Sequence, residues 1–204
     1  MIAIIDYGLG NLFSIHNMLK HIHVDSVITD DEETIKGANK LILPGVGKYD
    51  EGVRNLQAKG LDRLIVNEAY SGKPILGICL GMQLLGNSSE EGELEGLKLI
   101  DFKSIRFCFD DNKDLKVPHM GWQNVRFTDE ECPLNKGLDD KQRYYFVHSY
   151  YAVCSLQENV MAFCDYGFEF AAAVRNGNVY GVQFHPEKSH RYGMQLLMNF
   201  TDKC

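Results

Sequence analysis

Apolar positions along this chain switch between two periods. "IAII" (residues 2–5) is apolar at every position and is stopped by Asp-Tyr-Gly; Leu12, Ile15, Leu19 and Ile22 then recur at the spacing of one helix face. The same strand, loop and helix theme returns at "KLIL" (40–43) followed by "PGVG", and at "PILGI" (74–78) followed by "LGMQLL". Short continuous apolar runs separated by helical segments predict strands buried on both faces, as in a parallel sheet covered by helices on either side.

From about residue 98 the texture changes. "LKLIDFKSIRF", "RYYFVHSYYAV", "NVMAFC" and "FEFAAAVRNGNVYGVQF" read as strands, and "RNGN" is a hairpin turn signal, so part of this half is expected to be antiparallel. "SHRYGMQLLMNFTDKC" closes the chain as an amphipathic helix, with Met194, Leu197, Met198 and Phe200 expected to face inward. The expected fold is a three-layer α/β domain, with a mainly parallel central sheet, helices on both faces and an antiparallel extension. At 204 residues, one domain spanning 1–204 is expected.

Composition leaves this picture unchanged: 45% hydrophobic and 24% charged residues are ordinary for a globular chain. Charge removes one class of partner, because 28 acidic against 21 basic side chains give a net −7, the wrong sign for tracking a phosphate backbone. No nucleic acid is expected. "MIAIIDYGLGN" reaches Asp6 after four apolar positions, so neither a signal peptide nor a membrane span is expected and a cytoplasmic location follows. The six cysteines show no paired spacing; Cys108, Cys132, Cys154, Cys164 and Cys204 read as plain reduced thiols. "HIH" at 21–23 has no accompanying ligand cluster, so no metal is expected.

Cys79 is different. Gly77 and Gly81 bracket it as G-x-C-x-G between an apolar run and a helical segment, the spacing and context of a nucleophile elbow. The helix N-terminus places free N–H groups and partial positive charge beside the sulfur, which favours the thiolate that attacks carbonyls. The alternative is a small core residue, and the presence of a base decides between them. "GVQFHPEKS" supplies one: His185 ends an alternating strand, and Glu187, two residues on past Pro186, projects to the same side if the segment is extended. A carboxylate so placed fixes the imidazole tautomer and leaves the other nitrogen for the thiol.

Acyl transfer also needs donors for a developing oxyanion. The amide of Leu80 is one candidate; the other is the Val46 peptide in "LPGVG", where Gly45 and Gly47 let it turn at little steric cost. "DYGLGNLFS" is not a dinucleotide fingerprint, since Phe13 stands where a third glycine belongs.

These residues resemble the class I glutamine amidotransferases, whose glutaminase domains carry a G-x-C-x-G elbow and a later H-P-E. Within that family, "DYGLGNLFS", "LPGVG", "GICLGMQLL", "PHMGW", "YYFVHSYY" and "QFHPEKS", in this order, look like the HisH-type glutaminase subunits of imidazole glycerol phosphate synthase. The resemblance implies that Cys79 attacks the carboxamide of L-glutamine to give a γ-glutamyl thioester and ammonia, that His185 and Glu187 complete the triad, and that water releases glutamate. It implies a pocket lined by Gly45, Gly47, Gln83, Glu91, Ser149 and Tyr150, with Glu91 taking the substrate ammonium, and no cofactor. It also implies a contact face of Asn11, Ser14, Trp122, Tyr145 and Lys188 for a (β/α)8 barrel cyclase subunit of the HisF type, which consumes the ammonia in histidine synthesis.

One departure stands out: "PHMGWQ" has Gln123 where the family usually carries Asn. It keeps open a relative that feeds ammonia to a sugar amidotransferase of surface polysaccharide synthesis. A free-standing cysteine peptidase or esterase, motivated by the same triad, and a non-catalytic binding subunit are the remaining alternatives.

Overall fold

The computed structural model describes residues 1–109, 115–129 and 131–204. Its first half alternates strand and helix: β1 (Ile2–Ile5), α1 (Leu12–His21), β2 (Ser26–Thr29), α2 (Glu32–Gly37), β3 (Lys40–Leu43), α3 (Tyr49–Ala58), α4 (Leu61–Tyr70), β4 (Ile75–Ile78) and α5 (Leu80–Leu85). The second half is mostly strand: β5 (Ser88–Ser89), β6 (Phe102–Arg106), β7 (His119–Asn124), β8 (Arg126–Phe127), β9 (Arg143–His148), β10 (Tyr150–Cys154), β11 (Val160–Asp165), β12 (Glu169–Asn176) and β13 (Val179–Val182), before α6 (His190–Lys203).

The central sheet runs β2-β1-β3-β4-β13-β12-β10-β6-β5. Its first five strands are parallel, and β12, β10 and β6 continue it antiparallel. The expected α/β architecture with an antiparallel extension is therefore present. Alternation along the parallel strands explains the three layers. Ile2, Ile4, Ile42, Leu76 and Ile78 pack on α1 and α6 through Ile15, Leu19, Leu196, Leu197 and Phe200. Ala3, Ile5, Leu41, Leu43 and Ile75 point the other way, into a core with Val53, Leu56, Leu61, Ile65 and Leu84 of α3, α4 and α5. Each such aliphatic side chain, fully buried, stabilises by roughly 1.5–3 kcal/mol.

One expectation is sharpened and one corrected. "RYYFVHSYYAV", read as strand, divides in two: β9 pairs with β7 in a separate two-stranded ribbon, whereas β10 joins the main sheet. The break falls at Ser149, whose carbonyl accepts from the Phe107 amide at 3.0 Å. In α6 the inward residues are Gly193, Leu196, Leu197, Asn199 and Phe200, while Met194 is half-buried and Met198 is exposed. The helix phase is set at Gly193, where a Cβ would lie 1.8 Å from the Pro186 carbonyl oxygen, so this position must face the turn that follows His185.

Candidate active site

The chain leaves β4 and enters α5 within one residue. Cys79 at that bend has φ 55° and ψ −111°, a left-handed region that non-glycine residues rarely occupy and that costs about 1–3 kcal/mol. The bend is pinned from both sides: the Cys79 amide donates to the Val182 carbonyl at 2.8 Å, and its carbonyl accepts from the Gln83 amide at 3.1 Å. The flanking glycines are sterically required. A Cβ on Gly81 would lie 1.8 Å from the Leu43 carbonyl oxygen, and one on Gly77 would lie 2.8 Å from the Gly81 carbonyl oxygen.

β13 pairs with β4 in parallel register, and His185 follows just beyond its end. Nδ1–H of His185 donates to Glu187 Oε1 at 2.8 Å, both side chains being only 1% exposed. The route to that contact differs from the extended segment expected. Pro186–Lys188 form a 3₁₀ turn, with proline in its first turn, and the turn folds Glu187 back onto the ring. Burial alone pushes the imidazole pKa down; the neighbouring Cys79 sulfur and the hydrogen-bonded Glu187 carboxylate outweigh it and hold the pKa up, at about 10. Nε2, the ring nitrogen not taken by Glu187, is buried and makes no hydrogen bond. A loosely aligned nucleophile–base contact is usual where no substrate is bound.

The oxyanion candidates lie on the 44–47 loop and the start of α5. Val46 is 41% exposed and Gly47 has φ +124°. The Leu80 amide is not idle: it donates to the Gly45 carbonyl at 3.3 Å. Tyr7, given no role from sequence, braces this loop through its hydroxyl, which donates to the Pro44 carbonyl at 2.7 Å. Burial, with the Cys79 charge second, holds that phenol well above its ordinary pKa, so it stays a donor.

A cavity of about 290 Å³ opens on the sulfur, lined by Val46, Gly47, Cys79, Leu80, Gln83, Glu91, Pro118, Val147, His148, Ser149 and Tyr150. Most of the residues predicted for a glutamine pocket meet here. Gly45 does not line it; it is buried behind the elbow, with its carbonyl taken by Leu80. Glu91 sits at the rim, where one carboxylate oxygen accepts from the Tyr49 amide, the first of α3, at 2.9 Å. A larger cleft of about 650 Å³, between Asn124 and Glu169, contains none of the predicted catalytic or pocket residues.

His148, for which the sequence supported no role, forms the cavity floor with His119 behind it. Nδ1–H of His148 donates to the Tyr150 carbonyl at 2.7 Å, which leaves Nε2 to accept from Nδ1–H of His119 at 3.0 Å. Burial lowers both pKa values, to about 3 for His148 and about 4 for His119. The unfolded chain therefore binds more protons than the folded one below pH 6.5, and stability is lost as pH falls from there. Each histidine is expected to cost about 2 kcal/mol between pH 6.5 and pH 5. Urea unfolding at the two pH values should show the loss, and His119→Phe, which keeps the stacking on Phe146 and Tyr166, should reduce it. An unchanged slope in that variant would refute the assignment.

Trp122, Tyr145 and Lys188, three of the predicted contact residues, cluster. The Trp122 indole stacks on His190 at 5.2 Å and meets Tyr145 edge-on at 6.1 Å, and Lys188 Nζ lies 5.6 Å over the Tyr145 ring. Asn11 and Ser14, bonded to each other at 2.8 Å, open α1, which packs against the 186–188 turn. Phe13, between them, is 72% exposed. Gln123 is half-buried, opposite Tyr144 in the β7–β9 ribbon. Among the described residues no helix is long and apolar enough to cross a membrane.

Comparison with known proteins agrees with this geometry. The sequence model of the family "Glutamine amidotransferase class-I" matches residues 3–204. The chain is 50% identical over 205 residues to imidazole glycerol phosphate synthase subunit HisH 2 of Methanococcus maripaludis, with 100% of each covered. It is 48% identical to the protein of the same name from Pseudomonas aeruginosa, with 99% of each covered. Among solved structures it superposes on a glutamine amidotransferase with TM-score 0.74 and 19% identity, covering 99% of this chain and 98% of that one. It superposes on PurLQS from Thermotoga maritima with TM-score 0.74 and 20% identity, covering 98% and 97%; at such identity the likeness is one of fold. With a cysteine elbow, a buried His–Glu pair and full-length relatives at half identity, the chain belongs to the class-I glutamine amidotransferase family.

Proposed function

We propose that this protein is the glutaminase subunit of a cytoplasmic two-subunit synthase, releasing ammonia from L-glutamine for a (β/α)8 cyclase partner that makes imidazole glycerol phosphate in histidine biosynthesis. The observation that carries the chemistry is a buried His185–Glu187 pair beside Cys79, with Cys79 itself in the wall of a cavity rimmed by Glu91. The names of the half-identical relatives support the synthase.

In this reading the Cys79 thiolate attacks the carboxamide carbon, and the carbonyl π pair moves to oxygen. The intermediate then expels ammonia, which takes its proton from the His185 imidazolium. Water, deprotonated by His185, releases glutamate and returns the sulfur. Glu91 takes the substrate ammonium, while Ser149, Tyr150 and Gln83 wall the cavity. Asn11, Ser14, Trp122, Tyr145 and Lys188 face the partner.

The oxyanion is received by the Leu80 amide and by the Val46 or Gly47 peptide. Because the Leu80 amide is held by the Gly45 carbonyl, the loop must move before both donors are free. The isolated subunit is therefore expected to be nearly idle, and a cyclase partner with its acceptor ligand to raise glutamate release about a hundredfold or more, the effect of one oxyanion donor. Equal rates alone and in complex would exclude the coupling. Gln123 favours one second reading, the same chemistry serving a sugar amidotransferase. Stimulation by that partner and not by the cyclase would establish it.

A further inference from the structure

The register of β4 and β13 pairs Ile78 with Val182, so the next residue on each strand, Cys79 and Gln183, stand side by side. Gln183 is fully buried, and its Nε2 lies 3.7 Å from the Cys79 sulfur. Which end of this amide faces the sulfur follows from its neighbours. The Tyr150 carbonyl only accepts, and it takes His148 Nδ1–H at 2.7 Å and Gln83 Nε2 at 3.4 Å. The Gln83 amino group, so oriented, also donates to Gln183 Oε1 at 3.1 Å. With its oxygen occupied, Gln183 turns its N–H toward the sulfur.

We propose that Gln183 is a further catalytic residue, a neutral donor to the Cys79 sulfur that stabilises the thiolate before attack and again as it leaves the thioester. This rests on Cys79 as the nucleophile. A hydrogen bond to a charged acceptor is stronger than one to a neutral group, so the donor favours the thiolate over the thiol. The ionisable groups around this sulfur are His185, with Glu187 behind it, and Tyr7, together with Glu91, His148 and Tyr150 of the same cavity. Gln183 does not titrate, so its contribution persists at every pH.

The test is the pH dependence of Cys79 alkylation by iodoacetamide, read by peptide mapping so that the other cysteines do not interfere. Gln183→Met, close in shape and without a donor, is expected to move half-maximal alkylation up by about one pH unit. In the complex with its partner, kcat/KM for glutamine should fall about tenfold at neutral pH, the same unit expressed as a rate, and recover as pH rises, with KM little changed. Should that variant fail to fold, Gln183→Leu, which likewise has neither donor nor charge, carries the test and should shift in the same direction. A packing role alone would lower the rate without moving the alkylation profile, and an unmoved profile in a folded variant overturns the proposal. Glutaminase activity surviving in Cys79→Ala would instead overturn the nucleophile, a separate result, because alkylation reports the sulfur whichever group attacks glutamine.

Discussion

Replacing Cys79 by alanine is expected to lower glutamate release from glutamine by about three orders of magnitude or more, since removal of a nucleophile leaves only binding and oxyanion stabilisation. The loss should be confined to chemistry. Cys79 is 7% exposed, and its structural work is done by its backbone, through bonds to Val182 and Gln83 that alanine keeps. The thermal midpoint should stay within a few degrees of wild type, a shift of about 1 kcal/mol at most. Partner binding, proposed to draw on Trp122, Tyr145 and the start of α1, should be unaffected. Glutamate release by the variant at even a few per cent of the wild-type rate would mean that the thioester route is wrong.

The largest structural effect is expected at Gly81. An alanine methyl there would meet the Leu43 carbonyl oxygen at 1.8 Å and its carbon at 2.7 Å, and neither side yields easily. Leu43 is paired with Gly77 in the sheet, and Gly81 is in the first turn of α5. Gly81→Ala is expected to cost about 3 kcal/mol or more, at the upper end of overpacking, and to shift the elbow enough to impair catalysis as well. Gly37→Ala is the control: nothing lies within 4 Å of its Cβ position, and the residue ends α2. At such a position alanine stabilises by about 0.4–1 kcal/mol through the unfolded chain. Urea midpoints in which Gly81→Ala matches or exceeds wild type would contradict the close packing described for the elbow.

The parallel half of the fold could be read from its continuous apolar runs, because strands buried on both faces must be apolar at every position. β2 escaped notice, being a half-exposed edge strand of four residues with no such run. The β9–β10 break was equally silent: aromatic residues continue on both sides of Ser149, and only the partner strands differ. The elbow and the His-Pro-Glu segment could be found because their chemistry depends on short spacings. Gln183 and the His119–His148 pair could not, since their contacts join residues 104 and 29 positions apart. The interior face of α6 was misread at Met198, since two methionines and two leucines offer no contrast of polarity and the phase is decided at Gly193.

The proposed nucleophile and base, Cys79 and His185, stand at the tips of adjacent parallel strands, β4 and β13, whose spacing of about 4.8 Å is a property of any sheet. The hundred or so residues joining them in sequence do not set their separation. Insertions, deletions or a redesigned surface within that span are compatible with an unaltered spacing of Cys79 and His185. Drift in the residues that fill the ladder between those two tips has no such freedom.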